Sequence, residues 1–484
     1  MKRFLIIGVM AAAFNTHANA CVAEYSDHNY YMFSVFNRDQ TSPAYLYDIA
    51  SYWQKYAGNT SSTYLSSSTD LSFYRWNQKY IQKVAQRKKD AEMISYLRRL
   101  NDYLDTCEKL NPNVWNYASK QERLLAQQSL TRLNNVTKLY KGTKLKSQYA
   151  LLRMRTNMMK GFHQQNITYW NAIASRLPKS PWREAMRNIY ARALWKTGKH
   201  QQALDIYAEQ GDMASIRVLA RNYRNLAGIQ STYLKNPNSA MLTYLVQDFV
   251  NNCQQTIDSR SKEQIDKEWI EEIGAKVIYQ KEALNFITFA NKVIAEGKTQ
   301  SPCLWRSATA MLHYLYGYQQ EAWKEINEAI ALDGTQRMKD NARAIRLLVS
   351  TRNTQVDSDY PQYLVGEFKW LNEMAKEENP RKDSSTNSDN HYVEVKERVA
   401  YRALYNRFKT MADKEKKENR QEAGKDYESM ATAMYGMMDA YMRTFYKEQQ
   451  DEEYISRYLY SSEYAIRLDS LSAQQLADYY RFIT

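Results

Sequence analysis

From about residue 77 onward, apolar residues recur at spacings of three and four almost without interruption. Met93, Tyr96, Leu97, Leu100, Tyr103 and Leu104 trace one such stripe through strong helix formers, the period of a helix with one buried face. Pro112, Pro178, Pro181, Pro237, Pro302, Pro361 and Pro380 all fall between periodic segments. A ring without an N–H can end or start a helix there without breaking one. Residues 21–76 differ, being rich in Ser, Tyr, Asn and Thr, with a helical signal only around Ala44 to Tyr56. A polar run over 376–392, ending near His391, reads as a linker or long surface loop. Residues 393–484 read as a closing C-terminal helical module that caps what precedes it.

Composition sharpens the class. The 484-residue chain has 14 Gly and 8 Pro, fewer than sheet-rich or loop-rich folds need for their turns. The predicted fold is all-α, with stacked helical hairpins over 77–375. Two segments share one register. Ala191, Gly198, Ala203 and Tyr207 are separated by the same intervals as Ala310, Gly317, Ala322 and Ile326. Small residues suit a close helix crossing, a glycine suits a left-handed helix end, and a bulky apolar residue fills the groove between neighbours. A looser copy from about 147 has Gly161 at the turn and Trp170 at the bulky position, but Met154 and Asn166 where small residues belong. This pattern resembles the tetratricopeptide repeat, with units at about 184–217 and 303–336. It departs at the first-helix aromatic position, where Arg187 and Arg306 stand. The resemblance implies an α-solenoid whose stacked hairpins form a concave surface for partners.

The N-terminus carries an export signal. Lys2 and Arg3 precede an apolar run from Phe4 to Phe14, and Ala18-Asn19-Ala20 supplies small residues for cleavage, so 1–20 reads as a signal peptide. That run is too short to remain as a membrane span. Cys21 follows the expected cut, where a bacterial lipoprotein is acylated, although Ala18 stands where such signals usually have Leu. Plain secretion is the other reading. Lipidation would leave Cys107, Cys253 and Cys303, an odd number, whereas four thiols allow two bridges in three connectivities. The stretch from Cys21 to Asp39 resembles the mature N-terminus of exported proteins of Bacteroides-type bacteria. That implies the periplasm or outer membrane as the place and names no activity.

Charge is localised. Residues 77–160 contain eighteen Lys and Arg against six Asp and Glu, while the remaining mature chain nearly balances. Arg87, Lys88, Lys89, Arg98, Arg99, Lys138, Lys141, Lys144 and Lys146 are the candidate docking residues for an anionic partner: acidic lipid headgroups, a charged glycan or an acidic protein. Solvated basic helix faces are the plainer account. Nucleic acid fits the charge, but a secreted protein seldom meets it. Forty tyrosines against thirteen phenylalanines offer stacking surfaces for sugars or peptides, yet most sit at helical spacing and so belong to packing. Met430, Met434, Met437, Met438 and Met442 read as a buried seam and not as copper ligands.

Catalytic signatures are missing from the sequence. There is no His-Glu-x-x-His, no Cys-x-x-Cys and no Gly-x-Ser-x-Gly. Gly297-Lys298-Thr299 ends like a phosphate-binding loop, but Lys292 occupies the earlier glycine position, and Glu271-Glu272 reads as ordinary surface. No metal or cofactor is expected. The reading is a non-enzymatic binding or scaffold protein of the cell envelope that engages a protein or peptide. A glycan-binding outer-membrane protein on similar helices is the alternative, and an enzyme with an unrecognised site stands third.

Overall fold

The computed structural model describes residues 31–36, 43–58, 70–110, 118–258, 260–261, 264–265, 275–352, 360–378, 390–432 and 434. Residues 1–20, read above as a signal peptide, lie outside them, as do Cys21, Glu271, Glu272 and residues 435–484, which include Met437, Met438 and Met442. The fold is all-α, with helices packed in neighbouring pairs. Packing divides the chain into two units, one holding residues 40–222 and the other residues 24–39 together with 223–484.

The first unit comprises α1 (Ala44–Ala57), α2 (Asp70–Arg87), α3 (Ala91–Leu110), α4 (Lys120–Leu139), α5 (Lys146–Met159), α6 (His163–Ala172), α7 (Pro181–Lys196), α8 (His200–Gln210) and α9 (Met213–Leu219). Helix α1 packs on both α2 and the distant α7. Its Trp53 is buried with ring centroids 5.2 Å from Tyr74, 6.4 Å from Tyr96 and 6.0 Å from Trp182. Tyr96 in turn meets Tyr149, which stacks on Tyr140. These aromatic residues fill spaces between helices, and the Tyr74 hydroxyl donates to Asn101 at 2.7 Å. Helix α2 starts at Asp70, seven residues before the periodic pattern becomes regular, and α1 matches the earlier signal around Ala44 to Tyr56.

The second unit comprises α10 (Leu226–Lys235), α11 (Met241–Asp258), α12 (Gln280–Glu296), α13 (Pro302–Leu315), α14 (Gln319–Ala331), α15 (Gln336–Ser350), α16 (Tyr360–Glu378) and α17 (His391–Glu397). A π-helix (Arg398–Tyr405) and α18 (Asn406–Lys417) follow. A two-residue antiparallel ribbon pairs Arg260–Ser261 with Gln264–Ile265. The polar run read as 376–392 is flanked by helix at both ends. Helix α16 continues to Glu378, and Asn390 caps α17 while donating to the Ala375 carbonyl at 2.7 Å. His391 is buried and not part of a solvated loop.

The shared register maps onto two hairpins, α7–α8 and α13–α14. Ala191, Ala203, Tyr207, Ala310, Ala322 and Ile326 are all buried. Gly198 and Gly317 adopt φ of +86° and +90°. At the first, Lys199 N donates to Leu194 O and Gly198 N to Trp195 O; at the second, Tyr318 N donates to His313 O and Gly317 N to Tyr314 O. These paired bonds satisfy the last helical carbonyls and turn the chain back at once. In the looser copy, buried Asn166 of α6 replaces the small residue. Its amide donates to Met154 O and accepts from Asn157, so a polar bridge joins α5 and α6 where Ala would permit bare contact. Cys107, Cys253 and Cys303 are buried thiols without disulfide bonds. Among the described residues no helix is long and apolar enough to cross a membrane.

Nothing lies within 4 Å of a Cβ built at Gly317 or Gly366, so their backbone conformations alone separate them. We expect Gly317→Ala to lower stability by about 1–2 kcal/mol, the cost of a left-handed L-residue. Gly366→Ala, inside α16, should raise it by about 0.5–1 kcal/mol. Urea unfolding of the two variants checks both signs.

Candidate functional site

Helix α11 is the least ordinary element of the second unit. It is buried almost all round, yet Gln247, Asp248, Asn251, Asn252, Gln254, Gln255 and Thr256 are among its buried residues. A carboxamide or hydroxyl removed from water costs several kcal/mol unless it is hydrogen-bonded, so each of these side chains needs a partner. Helical spacing sorts most of them into two rows. Asp248, Asn252 and Thr256 follow one another at four-residue steps, and Gln247, Asn251 and Gln254 at four and three.

The first row holds the chain that leads into α12. Asn252 Oδ1 accepts from Lys276 N at 3.0 Å, and Thr256 Oγ1 accepts from Ile278 N at 3.0 Å. Asp248 receives a two-point contact from Arg224, Nε and Nη2 each at 2.9 Å, and a further bond from Asn252. Burial pulls the Arg224 pKa down, but Asp248 more than offsets this, so the net shift is upward.

The second row holds residues 31–36, a non-helical segment far away in sequence, with bends at Met32 and Phe36. Gln254 Oε1 accepts from Met32 N at 3.1 Å. Asn251 Nδ2 donates to Phe33 O at 3.0 Å. Gln247 Oε1 accepts from both Val35 N and Phe36 N at 2.6 Å. Helix α15 supplies the opposite wall, where Asn341 Oδ1 accepts from Ser34 N at 2.7 Å. Arg337 donates to Ser34 O at 2.9 Å and to Ser34 Oγ at 2.8 Å. Arg337 is itself anchored by Glu378 at 2.9 Å. Tyr31 donates to Gln255 Oε1 at 2.8 Å, so the segment runs antiparallel to α11.

Met32, Phe33, Val35 and Phe36 are buried, and Phe36 meets Tyr244 edge-on at 5.7 Å. The groove thus reads main-chain polar groups with side-chain amides while apolar pockets take the side chains. Gln247 Nε2, Asn251 Oδ1 and Asn341 Nδ2 have no hydrogen-bond partner among the described residues. Each of these amides therefore engages the segment through one end only.

The basic candidates lie in the first unit. Arg87, Lys88, Lys89, Arg98, Lys138, Lys141, Lys144 and Lys146 are exposed, and Arg99 is half-buried. The α2–α3 turn and the chain before α5 meet at Asp90. Lys144 pairs with Asp90 at 2.7 Å, Tyr56 donates to Asp90 at 3.2 Å, and Lys88 donates to Tyr56 O at 2.7 Å. Lys89 follows Lys88 with φ of +50°. Arg98 and Arg99 sit about two turns further along α3, and Arg99 pairs with Asp102. Part of the charge run is therefore gathered at one turn and part is spread along helices. Gly297 closes α12 in a left-handed conformation, and Lys298 pairs with Glu296 at 3.2 Å, which is a helix end and not a phosphate loop. Among the described residues no group of three His, Cys, Asp or Glu is placed to hold a metal ion.

The groove residues carry no motif, which is why sequence reasoning passed over them. One signal was present. Asn251-Asn252-Cys253-Gln254-Gln255-Thr256 is a polar run without charge, whereas a solvated helix face normally carries Lys and Glu.

Two measurements probe these sites. Gln247→Leu removes the acceptor for two buried amides, and we expect it to cost about 1–3 kcal/mol for each orphaned N–H, read by denaturant unfolding. At the basic turn, burial raises the Asp90 pKa, but the hydrogen bonds from Lys144 and Met93 N outweigh it, so the carboxyl lies below its ordinary value. Its contribution is present above the unfolded carboxyl pKa and lost as pH falls through the folded one. Lys144→Met should move the Asp90 titration upward in an NMR pH series. No family model matches this chain, and neither a curated protein nor a solved structure shows similarity to it, so the site rests on its own geometry.

Proposed function

We propose that the protein is an exported binding protein of the cell envelope. In this reading its second unit takes an extended peptide segment along α11 and α15, on hairpins packed as in tetratricopeptide repeats. The observation that supports it is the way Gln247, Asn251, Gln254, Asn341 and Arg337 engage the backbone of residues 32–36. Main-chain contacts supply affinity for any extended peptide, and the pockets filled by Phe33 and Phe36 select its apolar side chains. The unused amide ends give the groove bonding capacity beyond what residues 31–36 draw on.

The peptide reading stands ahead of the glycan reading. Trp53, Tyr74, Tyr96, Tyr207 and Tyr392 are occupied in packing, which leaves the exposed Trp76, Tyr80, Tyr279 and Tyr318 as the aromatic surface on which the glycan alternative rests. The basic turn around Lys88, Lys89 and Lys144 has a different role in this proposal. It orients an anionic partner or surface and speeds encounter, which exposed charge does more effectively than it adds affinity.

The test is a trans-peptide assay. The double substitution Phe33→Asp and Phe36→Asp should vacate the groove. A fluorescent peptide spanning residues 29–38 is then expected to bind this variant saturably and the wild-type chain far more weakly. A variant that keeps its helical circular dichroism and cooperative melt yet binds no peptide would remove the peptide reading. Crosslinking of the intact chain in cells locates the partner, with contacts expected on helices spanning 241–258 and 336–350.

A further inference from the structure

A second site lies in the same unit at the C-terminal ends of α11, α13 and α15. It is a cavity of about 450 Å³, within the range of small-molecule pockets. Arg352, Arg398 and Arg407 line it, with Asp258 as the carboxylate among its lining residues. The three guanidinium groups come from different elements: Arg352 from the end of α15, Arg398 from the π-helix and Arg407 from α18.

Each guanidinium is held by a defined contact. Arg407 Nη1 donates to Ser350 O at 3.0 Å and to Thr351 O at 2.6 Å. Arg352 Nη1 donates to Tyr314 O at 3.3 Å, and its guanidinium lies 4.3 Å from the centre of the Tyr314 ring. Arg398 Nη2 reaches both Asp258 oxygens at 2.9 Å. Capping of helix C-termini accounts for the first two contacts, since cations are favoured there. It does not by itself account for an open cleft of this size between them. Nor does it account for the π-helix. That conformation is rare, recurs at functional sites, and here places Arg398 and Ala403 on the cavity wall. Burial draws the Arg407 pKa down, as expected of a cation kept partly away from water.

We infer that this cavity binds a small organic anion, with Arg352, Arg398 and Arg407 gripping a carboxylate or phosphate group and Tyr314, Leu315 and Leu348 receiving the remainder. Planar guanidinium groups match the two-oxygen geometry of both anions, and pre-positioning by helix carbonyls limits the ordering cost on binding. The cavity adjoins the peptide groove, since Gln254 Nε2 donates to Asp258 Oδ2 at 3.3 Å, but no residue of 31–36 lines it.

Isothermal titration of the whole chain with phosphate, citrate and chloride at matched ionic strength tests the inference. Saturable binding of phosphate or citrate, but not chloride, is expected, and their ranking identifies the preferred oxyanion. Arg352→Met should weaken that binding by about tenfold or more, as the loss of one charge-assisted contact implies. Ala403→Glu places a carboxylate in the cavity, so it should abolish anion binding and raise the melting temperature in low salt. Failure of wild type to bind either oxyanion overturns the inference, and so does binding that both variants leave unchanged. The trans-peptide assay is read separately, with Phe33 and Phe36 substituted and Arg352 and Ala403 unchanged.

Discussion

The second unit depends on one constraint: a buried main-chain amide or carbonyl must have a partner. Residues 32–36 are non-helical and removed from water, and they lie in no sheet that could satisfy them. Side-chain amides of α11 and α15 do what a neighbouring strand would otherwise do. That requirement explains why α11 contains so many buried carboxamides, and why replacing them with apolar residues of similar size would not be neutral. It also explains the helix's second polar row, which solves the same problem for Lys276 and Ile278. A single helix thus holds two non-helical segments, one on each polar row.

Local physics was legible in the sequence and long-range pairing was not. The Ala–Gly–Ala registers at 191–207 and 310–326 encode a hairpin whose parts are close in the chain, so their spacing alone predicts burial and a left-handed turn. The aromatic spacing around Tyr96 and Tyr103 likewise identifies packing faces. By contrast, Met32 meets Gln254 across a separation of 222 residues, and Ser34 meets Asn341 across 307. Neither partner has a period or motif that names the other. The apolar run Met32-Phe33-Ser34-Val35-Phe36 is too short to distinguish a strand from a helix end, and the carboxamides of α11 look like surface residues until their burial is known.

Charge was the easiest feature to count and the weakest guide to geometry. The excess over 77–160 is real, but Arg99 pairs with Asp102 and Lys144 with Asp90. Such exposed pairs contribute roughly 0–1 kcal/mol. What the fold adds is position. The α2–α3 turn, with Lys88 and Lys89, meets the segment containing Lys144, so several cations share one edge that no linear reading of the run would have joined. The three arginines of the α11–α13–α15 cavity make the opposite case. They come from three different elements and become a cluster only through the tertiary fold.

The groove's own occupant sets the terms for any partner. Residues 31–36 are part of the chain they bind, so they compete as a tethered ligand whose effective concentration does not depend on that of the protein. A free peptide must exceed the tethered segment by differential affinity, since equal affinity displaces little at micromolar concentration. Longer apolar side chains would not suffice, because the pockets around Phe33 and Phe36 are already filled. The unused ends of Gln247, Asn251 and Asn341 are where a competitor can gain: two donors and one acceptor, buried and without partners among the described residues. A segment that satisfies them relieves a standing desolvation cost that residues 31–36 leave in place, of about 1–3 kcal/mol per group. Under the proposed function, selectivity for a partner over the chain's own segment would therefore rest on polar atoms of the groove more than on its apolar pockets.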